Sequence, residues 1–345
     1  MAARETNGPA HRGRHRRRAR ASAAAALLLL SAAAATGARA AYLRNVPASI
    51  LQPDGAPVPC LITGDEYFRW AHDGDGYPLT RDPASGRLVY ADTREGGWRP
   101  TPWSPGADDP AALGLAPRPG AAPADARGLF DLMAKARRSG AARAPATGHV
   151  RNIVIFLRFA GETEFTDPIA RYDELFNAGG AEANSLLGYY REVSRGQLRI
   201  STQFLPSSET TVVSFQDFHR RGYYQVRSSQ NPEGYPANDT MVGYRRLHDL
   251  LARSATAIDA TLPAGFESDG DGDGYVDNVC YIARGAPQGW ADVLWPHQWS
   301  LLDGYLAYLN GKRVSTYNLQ LEETLFLPSV GAGVLCHETF HSLGA

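Results

Sequence analysis

The chain has 345 residues, 43% hydrophobic and 21% charged, a balance that supplies a packed core and excludes a fibrous or wholly disordered protein. Its net charge of −1 conceals an asymmetry: residues 1–40 carry eight Arg and one Glu, leaving 27 basic and 35 acidic residues in the remainder, a net of −8. An acidic body disfavours nucleic acid as a partner and suits a protein that collects calcium.

The Arg-rich opening runs into Ala21–Ser31 with four consecutive Leu, then into small residues ending Ala38-Arg39-Ala40-Ala41. A basic start, a short apolar core and an A-x-A end read as a secretory signal peptide over residues 1–40, cleaved near Ala40. The apolar core is well short of the roughly 20 residues a bilayer span requires, so an anchor helix is the weaker reading. A secreted product without stable membrane insertion is expected. Three cysteines, Cys60, Cys280 and Cys336, are too few for a disulfide scaffold. Export permits one bridge, with Cys280–Cys336 the favoured pair, and three buried thiols is an equal alternative.

Residues 41–104 are rich in turn signals and short β-type runs, including Gln52-Pro53-Asp54-Gly55, Asp73-Gly74-Asp75-Gly76 and Leu88-Val89-Tyr90, and predict a small β-rich unit. Residues 105–148 are dominated by Pro, Ala, Gly and Arg, the composition of a linker. One amphipathic stretch, Gly128–Met133, interrupts it, and Arg137-Arg138 and Arg143 offer processing sites.

Val150–Phe159 is a continuous apolar run of strand length, as expected of a strand buried on both faces. From Ser185, the spacing of Leu186, Tyr190 and Val193 predicts a helix stopped by Gly196, followed by a half-buried strand over Gln197–Phe204. A longer helix is expected over Thr240–Ile258, with Met241, Tyr244, Leu247, Leu251 and Ala255 on one face. A further strand is expected over Val276–Ala283. The alternation describes an α+β domain, residues 149–345, in which a sheet is backed by helices.

Asp269-Gly270-Asp271-Gly272-Asp273-Gly274-Tyr275-Val276-Asp277 carries carboxylates at alternating positions around glycine-permitted turns. Asp269, Asp271, Asp273 and Asp277, with the Tyr275 carbonyl, match the opening of a helix–loop–helix calcium loop, and Ca²⁺ is the expected ion. Cys280 stands where the closing bidentate Glu of such a loop belongs, so the loop is expected to lead into a strand. The competing reading is a solvated acidic turn. Asp73–Gly76, with two acids only, reads as a plain turn.

Near the end stands His337-Glu338-Thr339-Phe340-His341-Ser342-Leu343-Gly344. Residues four apart on a helix lie one above the other, so His337 and His341 can present two nitrogens to one Zn²⁺. Glu338 is rotated by roughly 100°, beside the ion rather than on it, where a carboxylate can act as general base toward an activated water. Pro328 and Ser329 signal the helix start, Val334 and Leu335 supply its inner face, and Gly344 breaks it where many zinc peptidases bring a third ligand around. The competing reading is a satisfied His pair on a core helix. His297, between Trp295 and Trp299, reads as a packed structural His, and Glu322 and Glu323 as a solvated pair. Cys60 is a minor candidate for an inhibitory zinc thiolate.

Taken together, these residues resemble the immune inhibitor A-like family of secreted bacterial zinc metallopeptidases. The matches are His337-Glu338-x-x-His341-Ser342-Leu343-Gly344, the Asp269–Asp277 loop leading into a strand, Trp295-Pro296-His297-Gln298-Trp299, and Gly188–Leu198 with its Tyr189-Tyr190-Arg191-Glu192-Val193-Ser194 run. Gln52–Gly55 and Gly64-Asp65-Glu66-Tyr67 make residues 41–104 look like the prosegment that precedes such catalytic domains. The resemblance implies a zincin-like fold, a zymogen, zinc-dependent cleavage of protein or peptide substrates, and structural calcium. In that family the motif continues, usually through Pro-Asp, to a further acidic zinc ligand. Here the third ligand is expected beyond Ala345, the domain reads as incomplete, and the fragment is expected to be inactive by itself. The alternative is a calcium-stabilised secreted binding module with a silent helix, and a weaker one is a zinc hydrolase of non-peptide substrates.

Overall fold

The computed structural model describes residues 43–64, 69–82, 84–94, 98–117, 144–180, 182–236, 239–286, 293–327 and 331–344. The signal segment, Gly128–Met133, the basic processing sites, and Asp65–Tyr67, Pro328, Ser329 and Ala345 lie outside them. Residues 40–345 form one compact unit. No helix among the described residues is long and apolar enough to cross a membrane.

The turn-rich first segment folds as an antiparallel meander of six strands in sequence order: β1 (Leu43–Leu51), β2 (Pro57–Gly64), β3 (Arg69–His72), β4 (Pro78–Arg81), β5 (Leu88–Asp92) and β6 (Arg99–Pro100). Asp73 closes the β3–β4 turn, its Oδ1 accepting the N–H of Asp75 at 3.0 Å and of Tyr77 at 2.9 Å. Ile50, Val58, Cys60, Ile62, Leu79 and Tyr90 form this sheet's core.

The following strands are β7 (Gly148–Arg158), β8 (Leu198–Leu205), β9 (Phe215–Gln216), β10 (Asn278–Ala283), β11 (His297–Ser300), β12 (Tyr308–Leu309), β13 (Lys312–Arg313) and β14 (Thr316–Leu321). β12 and β13 pair with each other, and the second sheet has the order β11–β14–β10–β7–β8, with the short β9 pairing on β7. β8, β7, β10 and β14 are parallel, and β11 closes one edge antiparallel to β14. β7 is central and buried on both faces, which is why Ile153–Leu157 is an unbroken apolar run. β8 lies at the other edge and alternates: Leu198, Ile200 and Thr202 turn inward. A ladder of side chains fixes the register. Asn278 donates to Asn152 at 2.6 Å, and Asn152 donates to Thr202 at 2.9 Å, across three strands in one row. A one-residue slip would strand all three buried polar groups.

Helices cover both faces, giving an α+β domain. On one face lies α3 (Thr240–Asp259), capped by Asp239, whose side chain accepts the Val242 N–H. Its Leu247, Leu251, Ala255 and Ile258 pack on Ile153, Ile155, Val279, Tyr281 and Leu319. The other face carries α1 (Ile169–Asn177), α2 (Leu186–Val193), the short α4 (Glu322–Leu325) and α5 (Gly333–Ser342), against Val150, Val154, Phe156, Cys280 and Ile282. α1 was not anticipated, although Ile169, Tyr172 and Phe176 recur at helical spacing and are buried. Ser185 caps α2 as its sequence implies, accepting the Gly188 N–H at 2.9 Å, but Val193 is 56% exposed and turns away from the core. The chain reverses there through left-handed Arg195 and Gly196, with φ of 55° and 77°.

Candidate metal and active site

α5 presents its inner face to the sheet through Leu335, Cys336 and Thr339, all buried. It begins at Gly333, not beside Ser329; Ala332 holds the N-cap position and provides no side-chain cap. What anchors the helix is tertiary. Thr339 Oγ1 accepts from Asn318 at 3.3 Å, Asn318 Oδ1 accepts from Gln320 at 2.7 Å, and the Tyr190 hydroxyl donates to the Cys336 carbonyl at 2.7 Å. Gly344 ends the helix in the left-handed region, φ 100°, its N–H donating to the His341 carbonyl.

On this helix the Nε2 atoms of His337 and His341 stand 3.3 Å apart, with ring planes at 89°. Two imidazole nitrogens sharing a tetrahedral zinc, each at about 2.0–2.1 Å, are separated by about 3.3–3.4 Å. The pair therefore fits the ion. Among the described residues no third His, Cys, Asp or Glu converges on it. His337 opens onto a cleft of about 530 Å³ shared with Asn184, Tyr189, Glu192 and Phe340. Glu338 is buried on the adjoining face.

Against Trp295 lies a residue the sequence did not single out. Arg69, at the start of β3, places its guanidinium carbon 3.7 Å from the centre of the Trp295 ring. Burial holds its pKa down to about 10, opposed by Tyr244 and Glu338. A lone Arg in a short strand carries no local signal of such a partner.

The Asp269–Asp277 loop leads into β10, and its glycines do what the spacing requires: Gly272 and Gly274 have φ of 76° and 91°. A Cβ on Gly270 would meet the His149 carbonyl at 2.7 Å. Ligand oxygens of Asp269, Asp271 and Asp273 lie within 4.8 Å of one another. Asp277 is not in that group; its two oxygens accept the N–H of Gly270 at 2.8 Å and of Arg151 at 2.7 Å, pinning the loop to β7. Tyr275 pairs through its backbone with Arg313. Burial and the neighbouring Asp271 and Asp269 charges raise the Asp273 pKa. Burial also pushes Asp269 up, but the Lys312 ammonium at 2.7 Å and the N–H groups of Gly274 and Gly272 outweigh it and leave that carboxyl below its ordinary value.

Of the two readings left open for the cysteines, three buried thiols is the one found: Cys60, Cys280 and Cys336 are free and buried, and burial raises their thiol pKa values, that of Cys336 to about 12. Cys60 packs in the core of the first sheet, where desolvation disfavours a thiolate, so it is no zinc cap. Glu322 is not a solvated side chain: it accepts the Gly285 N–H at 3.0 Å and the Tyr172 hydroxyl at 3.3 Å, tying the end of β10 to the turn after β14. His297 is packed, as its sequence setting implies, 1% exposed with both ring nitrogens in contact with polar partners. No known family model and no curated protein matches this chain.

Proposed function

We propose that the chain is a secreted zinc-dependent endopeptidase precursor of the immune inhibitor A-like type, in a zincin-like fold, with residues 41–104 as its prosegment. The 3.3 Å separation of the His337 and His341 nitrogens carries the reading, because it equals the bite of a tetrahedral zinc. When bound, zinc supplies Lewis-acid polarisation and an activated water. His337 and His341 would hold the ion. Glu338, one residue on and buried, takes the proton of the attacking water and returns it to the leaving amine. Tyr190, Asn318 and Thr339 keep the helix, and hence the two imidazoles, in register with the sheet.

The full-length gene product is expected to hydrolyse casein, to lose that activity in 1,10-phenanthroline and to regain it with added zinc. Activity unaffected by the chelator would rule the proposal out.

Asp269, Asp271 and Asp273 are proposed to hold structural calcium, which relieves the repulsion among them. Calcium at a hundredfold excess over its Kd should stabilise the protein by about 2.7 kcal/mol, raising Tm by a few degrees. Asp271→Ala should abolish the calcium-dependent part in differential scanning calorimetry. The loop gathers three ligands where the helix gathers two, and this favours one alternative, a calcium-stabilised binding module with a silent helix. A calcium-dependent Tm with no zinc and no hydrolysis would select it.

A further inference from the structure

We propose that Trp295, Tyr244 and Glu338 bound a pocket for a guanidinium group, and that Arg69 of the first sheet is its resident occupant, standing in for the basic side chain of a peptide.

The geometry is that of a built site. A guanidinium is planar and weakly hydrated, so it stacks on an indole face where an ammonium would not, and Arg69 sits at stacking distance, 3.7 Å from the Trp295 ring centre. The Trp295 ring is held in place, hydrogen-bonded to Tyr244 and packed on His297 with centroids 4.8 Å apart. Tyr244 is in turn wedged against Trp299 at 4.1 Å. Arg69 Nε is shut off from solvent, and the residue's partial exposure belongs to other atoms. A cation so enclosed is tolerated only against an aromatic face and a negative charge, and Glu338 is the carboxylate that acts on it. His297, packed against the same indole, feels the Arg69 charge as well.

Arg69 comes from a strand remote in sequence. The complementarity lies in the surface that receives it. A pocket with one aromatic face and one carboxylate discriminates cationic side chains from apolar ones of equal length. The choice of a peptide as the outside ligand rests on the peptidase reading of Glu338; the pocket itself does not.

The test uses the full chain carrying Arg69→Ala, titrated with L-argininamide and followed by tryptophan fluorescence, with norleucinamide as the uncharged control. The expected result is saturable binding at least about tenfold tighter than in the wild type, whose pocket is filled, and lost again when Trp295→Leu is added. A folded Arg69→Ala protein that responds no more than wild type, or equally to norleucinamide, overturns the proposal. If Arg69→Ala does not fold, Arg69→Met keeps the stem without the charge and is read by the same two outcomes. Argininamide binding without zinc or hydrolysis would defeat the peptidase reading alone, whereas hydrolysis without argininamide binding would defeat the pocket alone.

Discussion

Glu338→Gln in the full-length gene product is expected to lower peptide hydrolysis by about 10²–10⁴-fold while leaving its zinc content unchanged. Gln matches Glu in size and keeps a carbonyl oxygen, so packing on this face of α5 is preserved, but it cannot accept the proton. The proposed zinc ligands are the neighbouring imidazoles, whose Nε2 atoms face each other at 3.3 Å. The two readouts separate roles that a single activity assay would merge. A variant that retains full activity would remove Glu338 from the chemistry, and one that loses zinc as well would make it a structural support of the ligand pair.

The second large effect lies behind the site. Tyr317→Phe is expected to destabilise the protein by about 2–4 kcal/mol, because its hydroxyl is the middle member of a buried chain whose every proton can be assigned. The Leu302 N–H donates to His248 Nδ1 at 2.9 Å, so His248 carries its proton on Nε2 and donates it to the Tyr317 oxygen at 2.9 Å. At the other end His297 Nδ1 lies 2.6 Å from the Trp295 carbonyl and must donate there, leaving Nε2 to accept from the Tyr317 hydroxyl at 3.1 Å. Removing the hydroxyl orphans one donor and one acceptor at once. Urea denaturation gives the loss directly, and a change under 0.5 kcal/mol would show that the chain is not closed.

The same two histidines set an acid limit. Burial lowers both pKa values to about 3, against 6.5 for the free side chain. Below pH 6.5 the unfolded chain therefore binds protons that the folded one refuses, and stability must fall with pH down to about 3. Their combined slope reaches about 2.7 kcal/mol per pH unit.

The α+β architecture was legible because its signals are local. Ile153–Leu157 has the length and β-branched content of a strand buried on both faces, and the spacing of Met241, Tyr244, Leu247, Leu251 and Ala255 writes α3 almost to the residue. α5 was legible through His337 and His341, but its start was not, since Ser329 looks like a cap and the helix is instead fixed by Asn318 and Tyr190 from distant strands and helices. Asp277 misleads for a related reason. Its place in the alternating series suggests a cation ligand, yet the β7 backbone claims one oxygen and Gly270 the other. Arg69 was invisible because the meaning of its charge depends on Trp295 and Glu338, more than two hundred residues away in the chain.

Metal analysis of the natively folded protein purified under zinc-replete conditions, alongside His337→Ala and His341→Ala, decides whether this helix holds zinc. About one zinc per chain in the wild type, lost in both variants, is the expected result. A wild-type protein free of zinc, or variants that retain it, would contradict the account.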